Sequence, residues 1–105
     1  MVEALAEGEL LVVRGTGLRR VATLRAPSGL TLTVASDQPG VQVYSGAHFD
    51  GTVVGPSGEA YGPRAGIALE TQGFPDAPNH DGFPSTVLRA GEILRSTTTW
   101  TFSSE

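Results

Sequence analysis

Residues 21–34 read VATLRAPSGLTLTV, and this stretch decides the fold class. Polar and apolar side chains alternate up to residue 26 and again from Leu30 to Val34, a period that is typical of strands with one buried face. Between the two runs, Pro27-Ser28-Gly29 combines a fixed φ with a residue that tolerates positive φ, which is a strong turn signal. The stretch therefore predicts a β-hairpin.

Other short runs along the chain are typical of strands separated by turns. No segment carries an apolar stripe at helical spacing, and at most one helical turn is expected at residues 2–5 before Gly8 ends it. We therefore predict an all-β, mainly antiparallel β-sandwich forming a single domain over residues 1–105, within which residues 1–17 are an unplaced N-terminal segment and first strand. The additional strands are predicted at residues 10–14, 41–45, 66–71 and 93–102.

Composition excludes several classes of function. The net charge is -4, and the seven basic residues are scattered arginines, so neither a nucleic acid nor an anionic membrane surface is an expected partner. The chain has no cysteine, which removes disulfides, thiol nucleophiles and cysteine-ligated metals and fits the cytoplasm. Residues 1–13 are acidic and lack a long apolar run, so we expect neither an export signal nor a membrane span.

Glu70 is the first candidate for chemistry. It ends the apolar run at residues 66–71 and precedes a loop rich in proline and glycine, so its carboxylate is expected at the rim of a sheet. Burial against apolar neighbours would raise the pKa of Glu70 towards neutrality, which suits a general base. The alternative is a solvated carboxylate at a strand end that pairs with an arginine such as Arg64.

Gln42 lies between two valines in the predicted strand at residues 41–45. If its amide faces inward it needs hydrogen-bond partners, which a ligand hydroxyl would provide, whereas alternation slightly favours a position facing water. Tyr44 and Trp100 offer rings on which a ligand could stack, although a tryptophan in a terminal strand is more often core packing.

The two histidines lie in predicted loops. His48 and His80 are near Asp50 and Asp81 in sequence, a combination that could in principle bind a metal. They are 32 residues apart and show no ligand spacing, so exposed loop histidines are the preferred interpretation and no metal site is expected.

Three segments follow a known pattern. Residues 69–79 (LETQGFPDAPN) match L-E-T-Q-x-x-P-D-x-x-N. Residues 38–46 (QPGVQVYSG) follow Q-P-G-x-Q-x-Y-T-G with Ser45 in place of threonine, and residues 83–102 follow F-P-S…L-x-P-G-E…T-x-x-x-F with Ala90 in place of proline. These segments occur in the family's order and with its spacing across residues 18–102. By these motifs the chain resembles the C-terminal portion of the aldose 1-epimerase (galactose mutarotase) family.

The resemblance implies a large β-sandwich, here a partial galactose-mutarotase-like supersandwich, that interconverts the anomers of glucose-type and galactose-type monosaccharides without a metal or organic cofactor. In that family a glutamate removes the proton of the anomeric hydroxyl while a histidine protonates the ring oxygen. By motif, Glu70 corresponds to the catalytic base and Gln42 to a substrate-binding residue. His48 and His80 are not assigned the acid role.

The family's chains are far longer, and their catalytic histidines, a substrate-binding arginine and a sugar-binding aspartate lie upstream of the matched region. One interpretation is an epimerase part that works with a complementing N-terminal chain. A second is a non-catalytic carbohydrate-binding or structural β-module that self-associates through exposed sheet edges. A third is a sugar-phosphate mutarotase, for which Arg64 or Arg89 alone gives little support.

Overall fold

A computed structural model describes residues 8–104. Within that range six strands form two three-stranded sheets, ordered β1-β4-β5 and β2-β3-β6, and the only helical element is the 3₁₀ turn Ala77–Asn79. These described residues contain no helix long and apolar enough to cross a membrane. The prediction of an all-β fold with antiparallel sheets is confirmed. Two sheets are consistent with a β-sandwich, which is built from two sheets. The strands are β1 Glu9–Val12, β2 Arg19–Arg25, β3 Thr31–Ser36, β4 Gly40–Tyr44, β5 Ala68–Gln72 and β6 Thr98–Ser103.

The predicted hairpin is confirmed as β2 and β3. The two strands pair antiparallel from Arg19 opposite Ser36 to Arg25 opposite Thr31, with one irregularity near Ala22. Gly29 closes the turn with a φ of 92°, a conformation that favours glycine. Because both runs and the turn are adjacent in sequence, local patterning was enough to predict this unit.

The strand predicted at residues 93–102 is shorter than expected. Strand β6 begins at Thr98, which lies opposite Ser36, the last residue of β3. Residues before Thr98 therefore have no partner on β3. The chain there is fixed instead by Asp37, whose carboxylate accepts hydrogen bonds from the Ser96 hydroxyl at 2.8 Å and from the Thr97 amide at 3.3 Å.

The strands predicted at residues 10–14, 41–45 and 66–71 correspond to β1, β4 and β5 with bounds shifted by one or two residues. The helical turn expected at residues 2–5 lies outside the described residues. Residues 73–79 contain two prolines, which disfavour a regular helix or strand, and within them only the 3₁₀ turn Ala77–Asn79 forms.

Contacts along the chain define two compact units. The described part of the first comprises residues 8–11 and Gln42–Glu70, and that of the second comprises residues 12–41 and 71–104. The buried apolar side chain of the first unit is Val43, and those of the second are Leu32, Val34, Val41 and Ala77. Val34 in β3 has no exposed surface and is thus the most enclosed side chain of the second unit's core.

Candidate active site

Gln42 lies on the face of β4 that carries Tyr44. Val41 and Val43 are buried, whereas Gln42 and Tyr44 are half-buried, as expected for side chains that alternate across a strand. The Gln42 amide forms no hydrogen bond within residues 8–104. Gly8 packs beside it, since a Cβ added to Gly8 would lie 3.0 Å from the Gln42 Nε2 atom.

Glu70 lies on β5, the strand hydrogen-bonded to β4 at the edge of that sheet. The side chain is exposed, as in the solvated alternative given for this carboxylate, and is not buried against apolar neighbours. An edge strand has a neighbouring strand on one side only. A side chain in the middle of an edge strand therefore has fewer neighbours to shield it from solvent. The Glu70 carboxylate forms no ion pair or hydrogen bond within the described residues.

A cavity of about 270 Å³ lies in the first unit beside these two strands. Two of its lining residues, Tyr44 and Ala68, are each two positions from Gln42 and Glu70, so each pair shares one face of its strand. The lining is largely apolar, which suits the C–H face of a small ring. The lining consists of Tyr44, Gly46, Phe49, Gly66, Ile67 and Ala68.

A row of aromatic rings borders the cavity. The centroids of Tyr44 and His48 are 5.3 Å apart, those of His48 and Phe49 are 5.0 Å apart, and those of Phe49 and Tyr61 are 6.0 Å apart. The Tyr44 hydroxyl and the His48 Nε2 atom lie 3.4 Å apart. His48 is exposed, as expected for a loop histidine, but its contact with Tyr44 was missed because the conformation of an irregular loop cannot be deduced from spacing.

Gly46 holds the loop that brings Phe49 to the cavity. Its φ is 68°, and an added Cβ would lie 2.8 Å from the Phe49 Cδ2 atom. We expect Gly46→Ala to lower the free energy of unfolding by about 1–2 kcal/mol, because a side chain is strained at this φ and the ring must also move.

Gly66→Ala is the matched control in the same unit, since Gly66 lacks a left-handed φ and an added Cβ meets no atom within 4 Å. Urea unfolding of both variants measures the difference. Equal stability of the two alanine variants would contradict the assignment of Gly46 as a required glycine.

Asp50 organises the next part of this loop. Its Oδ1 atom accepts hydrogen bonds from the Thr52 hydroxyl at 2.6 Å and from the Thr52 amide at 3.0 Å. These two bonds, the hydroxyl first, hold the pKa of the Asp50 carboxyl below its ordinary value. Asp50 therefore fixes a turn, which accounts for its carboxylate without a metal.

His80 belongs to the second unit. Its Nε2 atom lies 3.2 Å from the Asp76 Oδ2 atom, and its ring stacks on Phe83 with centroids 4.5 Å apart. Half of the His80 side chain is exposed, in agreement with the expected loop position. No group of three or more potential metal ligands occurs among the residues that the structure describes.

The comparisons with known proteins identify the family. The aldose 1-epimerase family model matches residues 10–101. The chain belongs to the aldose 1-epimerase family. The galactose mutarotase of Rattus norvegicus is 50% identical over 78 residues, which are 74% of this chain and 23% of that protein. The aldose 1-epimerase of Escherichia coli is 38% identical over 101 residues, which are 91% of this chain and 28% of that protein.

The human galactose mutarotase is 47% identical over 78 residues, again 74% of this chain and 23% of that protein. This member of the aldose 1-epimerase family thus spans about a quarter of the length of the curated relatives that it matches. The family predicted from the motifs is confirmed.

Proposed function

We propose that this chain supplies the general base and a substrate-binding amide of an aldose 1-epimerase acting on free glucose-type or galactose-type sugars in the cytoplasm. Residues 1–105 would form a single domain equivalent to the C-terminal portion of the longer relatives. The general acid would come from a complementing polypeptide equivalent to the remainder of those relatives.

In the proposed reaction, the Glu70 carboxylate accepts the proton of the anomeric hydroxyl while an acid donates a proton to the ring oxygen. The bond between the anomeric carbon and the ring oxygen breaks, and an open-chain aldehyde forms. Rotation of the aldehyde and reversal of both proton transfers close the ring with either configuration. Each group therefore needs to act as acid in one direction and base in the other.

One observation carries the proposal: Gln42 and Glu70 lie on neighbouring strands, β4 and β5, and each is two positions from a residue that lines one cavity. Adjacent strands are about 4.8 Å apart, so an amide and a carboxylate on them can reach the same small sugar. Neither side chain forms a hydrogen bond with another residue in the range 8–104. The exposure of Glu70 supports an encounter with solvent-borne substrate once a partner surface encloses the site.

The same exposure favours a second candidate, a non-catalytic carbohydrate-binding β-module. A solvated carboxylate without apolar neighbours has an environment like that of most surface carboxylates, and a sugar could bind to the amide and aromatic rings without reacting. The two candidates differ in whether sugar conversion accompanies sugar binding.

Gln42→Leu tests the proposed amide contact. We expect the KM for α-D-galactose to rise about 2- to 10-fold while kcat changes less, because a lost hydrogen bond contributes about 0.5–1.5 kcal/mol. Gln72→Leu is the control, since the Gln72 Nε2 atom already donates to the Gly73 carbonyl at 3.1 Å. A Gln42→Leu variant with unchanged KM and unchanged sugar binding would contradict the assigned role.

Two assays on the purified chain separate the candidate functions. The optical rotation of freshly dissolved α-D-glucose and α-D-galactose is followed with the chain alone, and sugar binding is measured in parallel by calorimetry. Accelerated mutarotation would support an epimerase that obtains its acid from its own loops or from a second copy. Binding without acceleration, even after the remainder of the Escherichia coli enzyme is supplied, would support the module.

A further inference from the structure

Three hydroxyl groups of the second unit form a hydrogen-bonded row. The Ser36 Oγ and Thr98 Oγ1 atoms are 2.9 Å apart, and the Thr98 Oγ1 and Thr71 Oγ1 atoms are 2.8 Å apart, both ordinary distances for hydroxyl hydrogen bonds. The Gln38 amide donates to the Ser36 Oγ atom at 3.1 Å. Each hydroxyl can therefore donate one hydrogen bond onward, from Ser36 to Thr98 to Thr71. We call Ser36, Thr98 and Thr71 the hydroxyl row.

One end of the hydroxyl row is fixed in the core. Ser36 has no exposed surface and is the last residue of β3, the central strand of its sheet. Thr98 lies directly opposite Ser36, so the two side chains point to the same side of the sheet. Val34, two positions before Ser36, shares that side and is also fully buried. The row therefore starts from the most enclosed part of the second unit.

The other end of the hydroxyl row holds β5 beside Glu70. Thr71 follows Glu70 directly in this strand. Successive side chains of a strand point to opposite sides, so Thr71 anchors β5 from the side opposite to the Glu70 carboxylate. Strand β5 is at the edge of its sheet and pairs with β4 on one side. The hydrogen bond of Thr71 thus gives the β5 backbone a second support, besides its pairing with β4.

We propose that Thr71, held by the hydroxyl row, is a positioning residue for Glu70. The inference rests on the proposed function, because it concerns how the general base is aimed at the anomeric hydroxyl. A displacement of about 1 Å in a reacting group can lower a rate by about 10²-fold. An anchor on the opposite side of the strand limits such displacement and leaves the carboxylate oxygens of Glu70 open to the substrate. Thr71 acts through the backbone and does not touch the sugar.

The test measures kcat and KM for α-D-galactose with this chain in complex with the remainder of the Escherichia coli enzyme. Thr71→Val and Thr98→Val each remove one hydroxyl and keep the shape of the side chain, whereas Thr71→Ser keeps the hydroxyl. Thr99→Val is the matched control, because Thr99 is exposed on β6 and its hydroxyl forms no hydrogen bond with another residue in the range 8–104. Thermal unfolding gives the folded fraction of each variant.

We expect Thr71→Val to lower kcat about 3- to 10-fold with KM nearly unchanged, a factor that corresponds to the loss of one hydrogen bond. Thr98→Val should lower kcat by a similar factor. The double variant should be no slower than the slower single variant, because both substitutions break the same row. Thr71→Ser and Thr99→Val should keep kcat within about twofold of wild type.

Equal kcat values for Thr71→Val and Thr99→Val in an active complex would overturn the inference and leave the proposed function standing. Losses that multiply in the double variant would also overturn it, because the Thr71 and Thr98 hydroxyls would then act separately. A loss that the folded fraction alone explains would do the same, since the role of Thr71 would then be purely structural. A wild-type complex without epimerase activity would reject the proposed function, and the positioning role with it.

Discussion

Glu70→Gln is expected to lower kcat for anomer interconversion by about 10²–10⁴-fold, the usual contribution of a general base. The amide retains the size of the carboxylate and can still accept a hydrogen bond, but it cannot take the proton of the anomeric hydroxyl. Sugar binding should therefore change little. Stability should also change by less than about 0.5 kcal/mol, because Glu70 is exposed and forms no ion pair within the described residues.

The matched control is Glu59→Gln, which removes an exposed carboxylate from the same unit. Exchange between the anomers of α-D-galactose at equilibrium, observed by NMR at the anomeric protons, measures both variants in complex with the remainder of the Escherichia coli enzyme. If the two variants exchange anomers equally fast, Glu70 is not the base.

Val34→Ala is expected to lower the free energy of unfolding by about 2–3 kcal/mol, since it removes two fully buried carbons and leaves a cavity. Val34 has no exposed surface and lies in β3, the central strand of its sheet between β2 and β6. In a domain of this size such a loss is a large part of the total stability.

Val87→Ala provides the comparison in the same unit. Val87 is 57% exposed, so the same change of side chain should alter stability by less than about 0.5 kcal/mol. Chemical denaturation of the two variants and wild type gives both values. Similar losses for Val34→Ala and Val87→Ala would contradict the description of β3 as the core of the second unit.

The features predicted from sequence were those set by neighbouring residues. The hairpin of β2 and β3 follows from alternation on either side of residues 27–29, and its turn needs the positive φ of Gly29. The strand that contains Gln42 was likewise predicted from residues 41–45, and the two valines beside it are buried as the alternation required.

The features that were missed depend on contacts between distant segments. The start of β6 at Thr98 is set by the end of β3 at Ser36, more than 60 residues earlier, which no local pattern reports. The positions of β5 and β6 at the edges of their sheets were also missed, because strand order is not written in the alternation of one strand. The exposure of Trp100 likewise reflects the edge position of β6.

The family motifs identified the candidate site more clearly than the chemistry of its individual residues did. Composition and spacing singled out Glu70 and Gln42 without choosing between functional and solvated roles, and the family pattern gave each a role that remains a prediction. The contact of His48 with Tyr44 beside the cavity carried no sequence signal, because it depends on the path of the loop after β4.

The most direct test of the claim that this chain supplies the base is polarimetry of freshly dissolved α-D-galactose. Rotation is followed with the tagged remainder of the Escherichia coli enzyme alone and then with this chain added in equal amount. The account predicts that the remainder alone leaves the spontaneous rate unchanged and that adding the chain accelerates the approach to equilibrium. Equal rates with and without the chain would contradict it.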